Sequence, residues 1–132
     1  MNPVQLAPDE EARRFGGLQR LYGVQGAEHI RRAHVVVVGI GGVGSWVAEA
    51  LARSGVARLS LIDMDHIAES NINRQIHALT STTGQAKVQA MRERIALIHP
   101  ACQVDAIDEF VSPENWPAVL PAQPDAVVDA CD

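Results

Sequence analysis

Gly39, Gly41 and Gly44 stand in G-x-G-x-x-G spacing, with a further glycine at Gly42, directly after the apolar run Val35 to Val38. Positions without side chains between a strand and a helix let a phosphate reach the unpaired N–H groups at the positive end of the helix dipole. Asp63 comes nineteen residues after Gly44, where a dinucleotide fold places an acid to accept from ribose hydroxyls. To this point a nicotinamide-dependent oxidoreductase fits equally well. Asp63-Met64-Asp65 is then followed by Asn71-Ile72-Asn73-Arg74-Gln75, and by Lys87 in Gly84-Gln85-Ala86-Lys87. A hydride-transfer site needs no cations around its phosphates beyond the helix terminus. Breaking the α–β bond of ATP does need them, because charge builds on the α-phosphoryl oxygens and on departing pyrophosphate. Arg74 and Lys87 supply cations, and a later Asp supplies a carboxylate for Mg²⁺. Singly, each has a plainer reading: Arg74 as a solvated loop charge, Lys87 as the polar face of a helix.

The elements that must position these residues can be read from hydrophobic period. Val35 to Val38 is a β-branched run, too short for a helix and apolar on both faces, as in a buried parallel strand. Val43, Trp46, Val47, Ala50 and Leu51 then fall at i, i+3, i+4, i+7 and i+8, the stripe of an amphipathic helix over 43–54. Glu49 and Arg53 pair on its other face, and Gly55 closes it. Arg58 to Asp63 reads as the second strand, giving β-α-β in about thirty residues and a right-handed parallel crossover. Residues 64–82 are polar and lack period. Thr83 to His99 reads as a helix with Val88, Met91, Ile95 and Ile98 inward, stopped by Pro100. Cys102 to Phe110 is a strand, Ser112 caps a short helix through Leu120 despite Pro117, and Ala126 to Val128 is a final buried strand ending at Asp129. Ahead of the first strand, Asp9 to Arg14 is a helix acidic at its start; Leu18 to Tyr22 and Gly26 to Arg32 add two more helical pieces.

The predicted fold class is therefore α/β: a Rossmann-like mononucleotide-binding half of a mostly parallel doubly wound sheet, strand order 3-2-1-4. Residues 1–33 form an N-terminal helical arm and residues 34–132 an ATP-binding domain. Its 132 residues suit one domain, and a net charge of −5 argues against nucleic-acid or membrane affinity through bulk charge. A local basic patch stays open, because Arg13, Arg14, Arg20, Arg31 and Arg32 cluster early. Cys102 and Cys131 make neither a disulfide framework nor a metal spacing and are expected as small buried residues. The histidines show no metal pattern; His77, close to Arg74, is the one of interest. With no signal peptide and no membrane-spanning run, the chain reads as cytoplasmic.

VVGIGGVGSWVAEALARSGV, LIDMD, NINRQ and GQAK resemble the ubiquitin-activating superfamily in its ThiF/MoeB adenylating branch, from about Arg14 to Asp132. The joint spacing of G-x-G-G-x-G, D-x-D, N-x-x-R-Q and G-x-x-K carries the resemblance. Within the branch, RFGGLQRLYG, GIGGVGSW and NRQIHAL look most like the tRNA threonylcarbamoyladenosine dehydratases, which use ATP to cyclise that nucleoside in tRNA. Relatives instead adenylate the C-terminal glycine of a ubiquitin-like sulfur carrier, and a sulfur-carrier or cysteine desulfurase system is the partner they imply. The resemblance implies ATP and Mg²⁺ as cofactors and carboxylate adenylation as the shared chemistry. It places Gly41 and Gly42 at the phosphates, Asp63 at the ribose, and Asn71, Arg74 and Lys87 at the triphosphate, with Gly39, Gly44, Asp65 and Gln75 also among the nucleotide-binding residues. Arg74, Lys87 and Asp132 are implied as catalytic, with Asp132 on the metal. It also implies a homodimer in which Arg14 or Arg20 reaches the partner's ATP. Family members are longer, so the C-terminal half of the family fold is expected to be absent, leaving a fragment or a surface for dimerisation. A non-catalytic nucleotide-binding module remains the alternative.

Overall fold

The computed structural model describes residues 4–132; residues 1–3 of the expected arm lie outside the described residues. Four parallel strands form one sheet in the order β3-β2-β1-β4, with β1 His34–Val38, β2 Arg58–Ile62, β3 Gln103–Ile107 and β4 Ala126–Asp129. The order is the one that β-α-β connections on both sides of a first strand require. Alternation along the strands divides the residues between two faces. Val35, Val37, Leu59 and Leu61 pack against Ala48, Ala52, Val88, Met91 and Ile95 from two helices, α3 (Gly44–Arg53) and α4 (Lys87–Ile98). Val36, Val38 and Ile62 face the other way, against Ile107, Val111, Val119 and Leu120. All three strand pairings are in parallel register, so the C-terminal ends of β1, β2 and β4 open at one rim.

Helix α3 has the expected period but a different phase. Gly44, Ser45, Ala48, Glu49 and Ala52 are its buried residues, whereas Val43 and Trp46 are exposed. The helix lies so close to the glycine turn that only small side chains fit beneath it. Val47 and Leu51 still flank the core. Glu49 does not face solvent: it is gripped by Arg53 Nε at 2.8 Å and by Arg94 Nε at 2.7 Å, tying α3 to α4. Burial alone would raise its carboxyl pKa, but hydrogen bonds from Arg94 and Arg53 outweigh this and hold it low.

Helix α4 starts at Lys87, four residues later than Thr83. Residues 84–87 have their backbone groups taken in a short pairing with 65–67: Gly84 N–H donates to Ile67 O, Ile67 N–H to Gln85 O, and Lys87 N–H to Asp65 O. Local propensity had no means of showing that tertiary claim on those donors. Over 112–120 there are turns rather than a helix. Pro117 lacks a donor and disfavours helical backbone at Trp116, and the Asn115 side chain bonds Ser112 N and Phe110 O instead. Strand β4 is an edge strand with Ala126 and Val127 exposed, not the buried strand its composition suggested.

Ahead of the sheet lie α1 (Pro8–Phe15) and α2 (Leu18–Arg32), the latter broken at Gly23. Phe15 seats the arm, with its ring against His99 at 4.8 Å and Arg31 stacked 4.4 Å above it. The early arginines are largely spent within the protein. Arg13 pairs with Asp9, Arg32 with Glu28 and Arg31 with Glu11, while Arg14 donates to Ile98 O. Arg20 is exposed and takes no partner among the described residues. No helix is long and apolar enough to cross a membrane among the described residues.

Candidate functional site

At the C-terminal rim of the sheet a cleft of about 920 Å³ opens over the turn between β1 and α3. This is where ligands bind in open α/β sheets. Two of the glycines in the turn are there because the protein requires them. Gly39 has φ +90° and a Cβ on it would fall 2.9 Å from Ala130 O, and a Cβ on Gly44 would land on the Gly39 carbonyl. Gly41 and Gly42 are different. A Cβ on either would make only ordinary contacts, with Gln75 at 3.6 Å and Arg74 at 3.7 Å. Protein packing leaves room for a side chain at both, so their bareness serves whatever enters the cleft. The amides of Gly41, Gly42 and Val43 also find no acceptor among the described residues.

The turn is held from several sides. Asp63, at the end of β2, accepts from Ile40 N–H through Oδ2 and from Asp65 N–H through Oδ1, both at 2.8 Å. Two hydrogen bonds still leave a carboxylate with lone pairs for a ligand hydroxyl. From the segment 71–78, His77 Nε2–H donates to Ile40 O at 2.7 Å. Ser45 Oγ donates to Gly41 O and accepts from Ile76 N–H, and Trp46 Nε1–H donates to Arg74 O at 2.8 Å. The exposed Trp46 thus holds the backbone of a site residue rather than the core.

Gly39, Gly41, Gly42, Asp63, Asp65, Asn71, Arg74, Gln75, Lys87 and Asp132 all line this one cleft; Gly44 lies beneath it and serves packing. Arg74 is exposed and lies over Gly42, with its Nη1 bonded to Ser70 O and Asn73 Oδ1. Asn71 is buried, and its Oδ1 accepts from Ala68 N–H in a turn. Lys87 is only 7 % exposed, against the expectation of a surface side chain on its helix. Placing it at the first residue of α4, not the second turn, turns it inward, and its ammonium makes no ion pair or hydrogen bond among the described residues. Gln75 is 6 % exposed and its Oε1 is buried without a partner.

The sequence left part of the cleft unread. Phe110, Val111 and Trp116 from the segment after β3, with Met64, give it an apolar wall, and Glu109 and Asp129 add carboxylates. Phe110 fell at the end of an expected strand and Trp116 within an expected helix, and neither element pointed its residues to the site. Cys131 is exposed in the cleft, not buried; slight desolvation and the Asp129 carboxylate raise its pKa. Cys102 is buried, and burial pushes its thiol up to about 12. Neither thiol is ionised at neutral pH, which excludes a resting nucleophile. His77 is 2 % exposed, and burial lowers its pKa, so the ring is neutral.

A four-stranded parallel sheet with a glycine turn between its first strand and helix, and a cleft at the C-terminal rim, is a Rossmann-like α/β domain. The chain belongs to the ThiF family, whose model matches residues 14–132. It is 52 % identical over 129 residues to tRNA threonylcarbamoyladenosine dehydratase of Haemophilus influenzae, covering 98 % of this chain and 49 % of that protein. Its fold matches the crystal structure of the Escherichia coli tRNA N6-threonylcarbamoyladenosine dehydratase in complex with ATP, with a TM-score of 0.91 at 48 % identity, over 98 % of this chain and 53 % of that one. A sulfur carrier protein adenylyltransferase of Thermus thermophilus is 36 % identical over 110 residues, 83 % of this chain and 40 % of that protein. The chain spans about half the length of the curated relatives it matches most strongly.

Proposed function

We propose that this chain binds ATP and serves the adenylation of a carboxylate, in the manner of a tRNA threonylcarbamoyladenosine dehydratase. The observation that carries the reading is the pairing of Gly41 and Gly42, bare without need, with a buried, unpartnered Lys87 in the same cleft. Its ammonium keeps solvent access at the cleft and has no protein acceptor among the described residues, so it stands free for an anion that enters. In this reading the amides after Gly41 hold phosphate oxygens, and Asp63 accepts from the ribose. Lys87 and Arg74 take up charge as the substrate carboxylate attacks the α-phosphorus and the bond to the β-phosphate breaks, releasing pyrophosphate. Asn71 and Gln75 donate to the phosphate chain. The acyl-adenylate then closes on itself, expelling AMP.

Mg²⁺ is tested by the donor set. No three His, Cys, Asp or Glu side chains converge into a cage among the described residues, but Asp129 and Asp132 share the cleft. One or two carboxylates completed by phosphate oxygens is the set Mg²⁺ takes, so the residues fit, with Asp132 as a ligand. Bound there, the ion would neutralise charge on the phosphoryl oxygens. Of the two arginines considered for a partner's site in a homodimer, Arg14 is engaged with Ile98 O, which leaves Arg20 to reach outward.

The identities favour tRNA over a sulfur carrier as the substrate. The test is release of pyrophosphate from ATP, offered threonylcarbamoyladenosine-bearing tRNA in one arm and a ubiquitin-like carrier ending in Gly-Gly in another. Turnover with the tRNA alone is expected. Turnover with the carrier alone would make this a sulfur-carrier adenylyltransferase, and ATP binding with neither would make it a binding module.

A further inference from the structure

One buried group plays no part in the chemistry above. His77 sits in the segment 71–78 beneath the glycine turn, 2 % exposed, and gives its Nε2–H to Ile40 O. A carbonyl only accepts, so the hydrogen must be on Nε2 and Nδ1 is left bare. That Nδ1 is buried without a partner among the described residues. As core filler this is a poor choice, because a leucine would fill the space without stranding a polar atom. What the histidine does achieve is specific. Ile40 N–H is held by Asp63 and Ile40 C=O by His77, so both backbone polar groups of Ile40 are clamped by side chains, and the C=O that His77 holds shares its peptide plane with the Gly41 N–H. The two other ties between this segment and the turn, through Ser45 and Trp46, act on Gly41 O and Arg74 O. Neither reaches Ile40.

We propose that His77 is a positioning residue for phosphate binding: by fixing the Ile40 peptide from the Gln75 and Arg74 side of the cleft, it sets the amides of Gly41, Gly42 and Val43 for the triphosphate. The role rests on the nucleotide reading above, and it makes the turn and the cation-bearing segment one preorganised unit. It acts on phosphates only, since His77 does not line the cleft itself.

The experiment is calorimetric titration of the full chain with ATP–Mg²⁺ and, separately, with adenosine, for wild type, His77→Asn and His77→Gln. A glutamine amide nitrogen reaches the place of Nε2; an asparagine stops at the place of Nδ1. His77→Asn should weaken ATP by about tenfold or more, the scale of one lost preorganising hydrogen bond. His77→Gln should return it to within about threefold of wild type. Adenosine should bind all three alike. Equal ATP affinity in all three proteins overturns the role, as does a parallel loss of ATP and adenosine, which a merely structural histidine would give. Should His77→Asn not fold, His77→Leu takes its place beside His77→Gln: a loss of about tenfold for ATP with adenosine unchanged in His77→Leu supports the clamp, and wild-type ATP affinity in it overturns the role. A wild-type chain that binds no ATP sinks the nucleotide reading and this role with it, whereas the variant outcomes above sink only His77.

Discussion

On one side of the glycine turn, Asn71, Gln75 and Lys87 reach the cleft with less than a tenth of their surface exposed, backed by bonds from His77, Ser45 and Trp46. On the other side, Phe110, Asp129, Cys131 and Asp132 are exposed, and Asp129 is bonded only to the amide of Cys131 two residues on. The first wall carries the amides and cations, the second the carboxylates and aromatic rings. On the proposed function, the difference means that the first wall is set for phosphate before any ligand arrives. Its cost lies in the stranded polar atoms of Gln75 and His77. The acidic wall is held loosely, which suits the proposal that its ligand is an ion brought in with the phosphates.

The comparison can be broken most severely at the turn. Gly44→Val should destabilise the chain by about 3 kcal/mol or more, because the side chain has only the Gly39 carbonyl to move against. Gly41→Val, where the protein leaves room, should fold with a near-normal melting temperature yet lose ATP. Thermal melts with and without nucleotide separate the two, and ATP binding by Gly41→Val at wild-type strength would remove the turn from the site.

Lys87→Met should cost about 10- to 100-fold in ATP affinity, the worth of a buried charge-assisted contact. The melting temperature without nucleotide should stay level, because the ammonium opens on the cleft and makes no bond that holds the fold among the described residues. A lower melting temperature with unchanged affinity would make Lys87 a structural residue.

Below the sheet, acid should undo what the site does not depend on. Burial, followed by the nearby Arg31, lowers His99 from 6.5 to about 4. A histidine neutral in the fold and protonated in the unfolded chain favours unfolding as pH falls from about 6.5 to about 4, and the slope ends once both states are protonated. Up to about 3 kcal/mol is at stake. His77, also lowered, works in the same direction. Urea midpoints across that window should drop for wild type and drop less for His99→Gln. The smallest effect is expected at the loose wall: Asp132→Asn should weaken ATP by about threefold, and only when Mg²⁺ is present. An equal loss without Mg²⁺ would take Asp132 off the metal.

Legibility in the sequence followed the range of the interactions. The strand order and the gathering of nearly every candidate residue into one cleft were readable, because local period and short connections fix them. Gly44 was readable as a turn residue but not as a packing residue. The phase of α3 was misread because Trp46 looks like core and in fact holds Arg74, twenty-eight residues away. Lys87 was readable as a residue of the cleft, but its burial was not, because the pairing of 84–87 with 65–67 is invisible to propensity. The aromatic wall at Phe110 and Trp116 went unread because those residues were assigned to a strand end and a helix, where the structure has loop and turns.

Calorimetry of ATP–Mg²⁺ against NAD, with Gly41→Val as control, bears most directly on a cleft prepared for three phosphates. ATP should bind wild type at least about tenfold more tightly than NAD and should fail with the variant. Tighter binding of NAD, with Lys87 and Arg74 dispensable, would contradict it.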